Sequence, residues 1–414
     1  MTQITHWING ALDTKKPERT GDIYNPATGK VTGTVAFANA ATVDLAVSAA
    51  TAAFAEWRHS SLTKRTQVHF AFRELVAQNR EKIAALITAE HGKVLSDAAG
   101  EVTRGLDVVE FACGIPHLLK GGFSEEVSTG VDVYSIRQAL GPVAIISPFN
   151  FPAMVPMWFF PVAIACGNTV VVKPSEKDPS AVMFLAQLWK EAGLPDGVFN
   201  VVHGDKEVVD ALLIHPGIKS ISFVGSTPIA RYVYETGTKS GKRVQALGGA
   251  KNHMIVLPDS DLELAADAAI NAGFGSAGER CMAISAIVAV EPIGNALVAR
   301  IKSRMAKIVT GDGTKGSDMG PLVSAVHRDK VASYIEAGAK EGATVVVDGR
   351  DLKVDGDGFF LGPTLLDNVS PKMSVYTDEI FGPVLSILRV NTYDEALRNR
   401  SRRASPVAAG GRPQ

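Results

Sequence analysis

The sequence predicts an α/β protein of two domains, and three observations carry that prediction. Helical apolar spacing fills residues 40–120, with apolar side chains recurring at about every 3.6 positions. From residue 142 onward, short β-branched runs alternate with amphipathic segments, the pattern of a parallel, doubly wound sheet. The alternation then starts a second time near residue 248. A chain of 414 residues is long enough for two or three domains of ordinary size.

Taken in order, "TVDLAVSAATAAFAEWR", "KRTQVHFAFRELVAQNREKIAALITAEHGK" and "AAGEVTRGLDVVEFACG" read as helices. Residues 122–140 change character: "FSEEVSTGVDVYSIRQAL" has β-branched residues around a Gly turn and reads as an extended hairpin. "PVAIISP", "NTVVVKPS", "VFNVVHG" and "SISFVGS" read as strands, with "PSAVMFLAQLWKEAG" and "PIARYVYETGTKSG" as helices between or after them. In the second set, "HMIVLP", "AISAIVAVE" and "ATVVVDG" read as strands. "DLELAADAAINAGFGSAG", "NALVARIKSRMAKI" and "AVHRDKVASYIEAGAKEG" read as helices. Residues 138–172 carry no charge but are broken by five prolines. A bilayer helix tolerates so many breaks poorly; buried strands and a loop are expected instead. The expected domains are 1–121 with 141–247, then 248–397, with 122–140 as a separate hairpin. The Arg-rich end, 398–414, is expected to be a disordered tail.

Composition excludes several function classes. Apolar residues make up 46% and charged residues 21%, with a formal net charge of −1. That balance leaves no footprint for nucleic acid or an anionic membrane. Three widely spaced cysteines without C-x-x-C argue against a disulfide framework and suit a reduced, cytoplasmic setting. The nine histidines form no ligand spacing, so no metal is expected. The polar amino terminus has neither an apolar h-region nor an Arg-rich amphipathic pattern, so no targeting signal is read there.

Two glycine-bearing stretches compete as a phosphate site. "GDGTKG", residues 311–316, satisfies G-x-G-x-x-G, but it follows a helix and no helix follows it, so it reads as a surface loop. "ISFVGSTPIARYVYETG" supplies the right order of strand, glycine and helix. Gly225 lets the backbone approach a ligand, and Ser226 or Thr227 is expected to cap the helix. "VVVKPSE" places Lys173 and Glu176 just past a buried strand, where α/β sheets bind ligands. Both side chains suit ribose hydroxyls, and an acidic group there favours NAD over NADP.

"SPFNFPAMVPMWFFP", "FVGST", "GSAGERCMAIS" and "DEIFGPVL", in this order and spacing, resemble the aldehyde dehydrogenase superfamily over about residues 5–397. Within it, "PFNFPAMVPMW", "GGAKNH" and "GERCMA" are most similar to the CoA-acylating branch that acts on methylmalonate semialdehyde. The resemblance implies a Rossmann-type NAD-binding domain, an α/β catalytic domain and a β-hairpin that joins copies into a homodimer or homotetramer. It implies Cys281 as nucleophile and Asn150 as one donor to the oxyanion. It implies that Phe149, Lys173, Glu176, Gly225, Ser226, Glu379 and Phe381 bind the cofactor. Arg104 and Arg280 match arginines that meet a substrate carboxylate. Arg280, beside the nucleophile, is also expected to favour the thiolate.

The chemistry of these residue types agrees. A thiolate adds to an aldehyde, the oxyanion is held by preorganised donors, and loss of hydride leaves a thioester. Hydrolytic relatives begin an "ELGG"-like motif with Glu; here "QALGG" offers Ala246 or Leu247, neither of which accepts a proton. Water attacks a thioester slowly without a base, whereas a thiol with a pKa near 8.5 is already partly thiolate at neutral pH. Coenzyme A is therefore the expected acyl acceptor. The expected products are propionyl-CoA or acetyl-CoA, with the carboxylate lost as CO2. Breakdown of valine, pyrimidines or inositol suits such an enzyme. Two other readings stand beside this one: a hydrolytic NAD-dependent dehydrogenase, and an inactive, truncated relative whose family continuation is replaced by the tail from Arg398.

Overall fold

The structure, a computed structural model, describes residues 2–401, with side chains through Arg398. The chain forms two compact units. The first comprises residues 1–23, 31–90 and 98–248. The second comprises residues 24–30 and 91–97 and the chain from Gly249 onward. The sequence reading placed residues 1–121 whole in the first domain. The two short segments, 24–30 and 91–97, fall instead with the second unit, a tertiary grouping that periodicity does not encode.

The first unit is built on a seven-stranded sheet: β1 (Trp7–Ile8), β2 (Ala11–Leu12), β3 (Pro142–Ile146), β4 (Thr169–Lys173), β5 (Phe199–Val201), β6 (Ser220–Val224) and β7 (Arg243–Leu247). Its spatial order is β7-β6-β3-β4-β5-β1-β2. The five strands from β7 to β5 are parallel, while β1 and β2 add an antiparallel edge. The central strands read "PVAII" and "TVVVK" and are buried along their whole length, as expected of parallel strands covered on both faces. Phe72, Phe160 and Trp189 are fully buried beneath this sheet, each contributing roughly 1.5–3 kcal/mol of burial.

The second unit has a five-stranded sheet: β8 (Asn252–Val256), β9 (Ile284–Val290), β10 (Thr344–Val347), β11 (Thr364–Asp367) and β12 (Val384–Val390). Its order is β8-β9-β12-β11-β10, parallel except for β10. Its core is contiguous, with Ile287, Leu297, Leu365 and Ile387 at no measurable exposure.

Several expectations change. Residues 154–165 form a helix, Met154–Ala165, rather than a strand or loop. Pro156 falls in its first turn, where the missing N–H has no intrahelical partner to lose; only Pro161 lies deeper inside. The helix also borrows a cap. Glu101, fully buried on the helix Leu95–Cys113, accepts from the Ala153 and Met154 N–H groups at 2.8 and 3.0 Å. The helix Lys206–Ile214 and strands β7, β11 and β12 were not foreseen. The last helix runs from Tyr393 to Ser401, past the expected start of the tail, and residues 402–414 lie outside the described residues. Strands Phe123–Ser128 and Val131–Tyr134 do form a hairpin, and every residue in both is exposed. No helix among the described residues is long and apolar enough to cross a membrane.

Candidate active site

In the first unit, three loops leave the carboxyl ends of adjacent parallel strands. "SPFN" follows β3, "PSE" follows β4 and "GST" follows β6. The chain steps from β3 to β4 and β5 on one side, then crosses to β6 on the other side of β3. That reversal is the switch point at which doubly wound sheets bind ligands. Lys173 is buried, and its Nζ donates to Glu176 Oε2 at 3.1 Å. The pair is thus asymmetric: the ammonium is buried while the Glu176 side chain stays 39% exposed. Burial pushes the Glu176 carboxyl up, but Lys173 and further favourable contacts outweigh it and leave the group below its ordinary value. Lys177 Nζ lies 4.7 Å from the Phe149 ring centre. Asn150 is 3% exposed.

After β6, Ser226 takes the N-cap position of the helix Thr227–Lys239, with Pro228 in its first turn. The expected cap from Ser226 is absent: its side chain makes no capping hydrogen bond. That N-terminus suits an anion, because a helix start without a side-chain cap offers amide hydrogens and positive potential. Lys173 and Glu176 on the adjacent loop suit hydroxyl groups. The residues present thus fit a dinucleotide.

Strand β7 separates the two residues left open at "QALGG". Exposure alternates along it, and Ala246 packs against the core while Leu247 is 39% exposed. Both side chains are aliphatic, and neither accepts a proton.

In the second unit, three loops converge at the amino ends of neighbouring strands β8, β9 and β12. They carry "GGAKN", "GERC" and "EIFGP". Together they line a cleft that includes Ala250, Gly278, Arg280, Cys281, Glu379 and Phe381. The "AKN" tripeptide ties them together. The Ala250 N–H donates to Glu379 Oε1 at 3.2 Å. Lys251 Nζ donates to the carbonyls of Val375 and Asp378 at 2.8 and 2.9 Å. Asn252 Nδ2 donates to the carbonyls of Cys281 and Ala283 at 2.9 and 3.1 Å. Lys251 and Asn252 went unassigned in the sequence, although their motif was visible there.

The backbone before Cys281 is strained. Ser276, Ala277 and Gly278 have φ of 53°, 52° and 71°, a left-handed turn that costs about 1–2 kcal/mol per non-glycine residue. Asp97 braces it: Oδ2 accepts from the Ser276 N–H at 2.9 Å. Glu279 is fully buried, accepts from the Val323 N–H at 3.3 Å, and lies 3.8 Å from His91 Nε2 and 3.6 Å from His327 Nε2. His327 Nε2 hydrogen-bonds the Phe381 carbonyl at 2.6 Å, where Phe381 itself has a positive φ of 58°. Asp97 and Glu279 were not foreseen, since their partners are distant in sequence.

The expected electrostatic help to the thiol is not found. Burial pushes the Cys281 thiol up, and the nearby Glu379 charge adds to that. Arg280 is turned to Asp97 instead, with Nη2 donating to Oδ1 at 2.7 Å. A raised thiol pKa means less thiolate at neutral pH, so alkylation of Cys281 by iodoacetamide is expected to keep accelerating from pH 7.5 to 9.5. A plateau below pH 8, measured as wild type minus a Cys281→Ala control, would contradict this. Arg104 is exposed on the helix Leu95–Cys113. Among the described residues, no group of three or more His, Cys, Asp or Glu is placed to hold a metal ion.

Comparison with known proteins gives a consistent result. The model of the aldehyde dehydrogenase family matches residues 13–404. A malonate-semialdehyde dehydrogenase of Pseudomonas aeruginosa is 52% identical over 402 residues, covering 96% of this chain and 81% of the relative. A Geobacillus thermodenitrificans malonate-semialdehyde dehydrogenase is 51% identical, covering 92% and 79%. Among solved structures, the methylmalonate-semialdehyde dehydrogenase of Oceanimonas doudoroffii superposes with a TM-score of 0.95 at 51% identity, covering 96% of this chain and 82% of that one. A Sinorhizobium meliloti 1021 protein ascribed the same activity, complexed with NAD, gives a TM-score of 0.95 at 50% identity, covering 96% and 82%.

Proposed function

The chain belongs to the aldehyde dehydrogenase family, and from that premise we propose that it oxidises malonate or methylmalonate semialdehyde with NAD and passes the acyl group to coenzyme A. The observation that carries the thiol acceptor is the lack of a proton-accepting side chain at the "QALGG" position, where Ala246 and Leu247 are both aliphatic. The relatives named for malonate semialdehyde support the substrate class, and the NAD-bound relative supports the cofactor.

In the proposed reaction Cys281 loses its proton to solvent, its thiolate adds to the aldehyde carbon, and the oxyanion is held by backbone N–H and by Asn150, a role taken from its motif. NAD, when bound, accepts the hydride that leaves as the tetrahedral adduct collapses. Lys173 and Glu176 hold ribose hydroxyls, the Gly225–Ser226 turn holds phosphate, and Phe149, Glu379 and Phe381 complete the cofactor contacts. The resulting Cys281 thioester carries a carboxylate β to its carbonyl. Breaking that C–C bond releases CO2 and leaves an enolate, which the oxyanion donors stabilise before protonation. The thiolate of CoA then displaces Cys281 and leaves as acetyl-CoA or propionyl-CoA. Arg280 and Arg104 are the proposed partners of the substrate carboxylate.

The exposed apolar hairpin residues Phe123, Val133 and Tyr134 suit association between copies of the chain. Three free cysteines suit a reducing compartment such as the cytoplasm. A second reading, hydrolysis, is favoured by one observation: Glu379 lines the same cleft as Cys281. Assaying malonate semialdehyde with NAD, with and without CoA, separates the two. Acetyl-CoA and arrest without CoA support the proposal; free acid formed at the same rate without CoA supports hydrolysis.

A further inference from the structure

Arg280 is held on two sides. Its Nη2 donates to Asp97 Oδ1 at 2.7 Å, and the two side chains remain 21% and 23% exposed. Its guanidinium also lies against Gly275: a Cβ added there would come within 2.4–2.6 Å of Nη1, Cζ and Nη2. Nη1 reaches the Asn271 carbonyl only at 3.5 Å, the outer limit of a hydrogen bond. A guanidinium has five N–H donors in a fixed plane, of which the contacts to Asp97 and Asn271 engage two, and Arg280 lines the same cleft as Cys281. Because Asp97 neutralises much of the charge, the site recognises by direction rather than by net positive potential.

We infer that Asp97 and Gly275 are specificity-determining positions: together they hold Arg280 in the orientation that receives the carboxylate of a semialdehyde acid. This rests on the function proposed above. Asp97 is a positioning residue, acting through Arg280, and it also braces the turn before Cys281 through Ser276. The two roles separate chemically. Asp97→Asn keeps a carbonyl oxygen for the Ser276 N–H but loses the charged pair with Arg280. Gly275→Ala leaves Asp97 intact and displaces only the guanidinium, the flexible end of a side chain. The Gly275 backbone, at φ −54°, accepts alanine.

The experiment measures kcat and KM for malonate semialdehyde and for propanal in Asp97→Asn, Gly275→Ala and Arg280→Leu, with NAD binding as the check on folding. Both positioning variants are expected to raise KM for the acid roughly tenfold, the loss that corresponds to one charge-assisted hydrogen bond. With propanal, which has no carboxylate for Arg280 to meet, the loss is expected to be several-fold smaller than with the acid. An equal loss with both aldehydes, or a KM for the acid that stays constant or falls, overturns the inference. If Arg280→Leu discriminates between the aldehydes and the positioning variants do not, the inference alone fails. If Arg280→Leu does not discriminate either, the reading of Arg280 fails and takes the inference with it.

Discussion

Replacing Cys281 with alanine is expected to lower kcat by at least about 10⁴-fold, the scale seen when a covalent nucleophile is removed and only binding and oxyanion stabilisation remain. Hydride leaves only after the tetrahedral adduct has formed on sulfur, so nothing else in the cleft replaces that step. Cys113 and Cys166 do not line the cleft that holds Cys281. The variant should still bind NAD, since the proposed dinucleotide contacts of Lys173, Glu176, Gly225 and Ser226 lie in the first unit. Fluorescence titration with NADH and a coupled assay with malonate semialdehyde check both halves. Residual turnover within tenfold of wild type would remove Cys281 from the mechanism.

Gly278→Ala is expected to have an effect of similar reach by a different route. Gly278 has φ +71°, and an added Cβ would stand 2.2 Å from the Gly382 carbonyl oxygen, 2.5 Å from its carbon and 3.0 Å from Pro383 N. All three atoms are backbone, so no rotamer change relieves the clash. The loop bearing Cys281 and the loop bearing Glu379 and Phe381 must then separate, at about 2–4 kcal/mol of overpacking and backbone strain. Misplacement of this kind typically costs on the order of a hundredfold in rate. Gly130 is the control. It also has a positive φ, 69°, but nothing lies within 4 Å of its added Cβ, so alanine there should cost about 1 kcal/mol and no activity. If Gly278→Ala retains wild-type kcat, the convergence of these two loops is not what positions the nucleophile.

Much of this architecture was legible in the sequence because local rules governed it. The runs "TVVVK" and "ISAIVAV" became buried parallel strands β4 and β9. "DLELAADAAINAGF" became a helix whose N-cap Asp261 accepts from Glu263 and Leu264, as a start signal predicts. What stayed hidden depended on tertiary partners. The helix Met154–Ala165 has no capping side chain of its own at Ala153; it is completed by Glu101, 52 residues earlier. β12 lies deep in the sheet, between β9 and β11; its sequence "VLSILRV" follows directly on Gly382-Pro383, a break signal that was read only as part of the "DEIFGPVL" motif.

The candidate site divides in the same way. Cys281, Glu379, Phe381 and Arg280 share one cleft, and each lies in a motif that the sequence displays. The clamp from Asp97 to Arg280 spans 183 positions, and no local pattern announces it. The thiol environment was misjudged for a related reason. An adjacent arginine in sequence suggested a lowered pKa, but the folded chain directs that arginine to Asp97 and leaves the thiol half-buried near the Glu379 charge.

The central claim is that the Cys281 thioester waits for a thiol. Stopped-flow recording of NADH from enzyme, NAD and malonate semialdehyde tests it most directly. Without CoA, the account predicts a rapid burst of NADH limited to about one equivalent per active site, followed by near arrest. Adding CoA should convert the same trace into sustained turnover. Steady NADH production that is equally fast without CoA would contradict the account and return the acyl group to water.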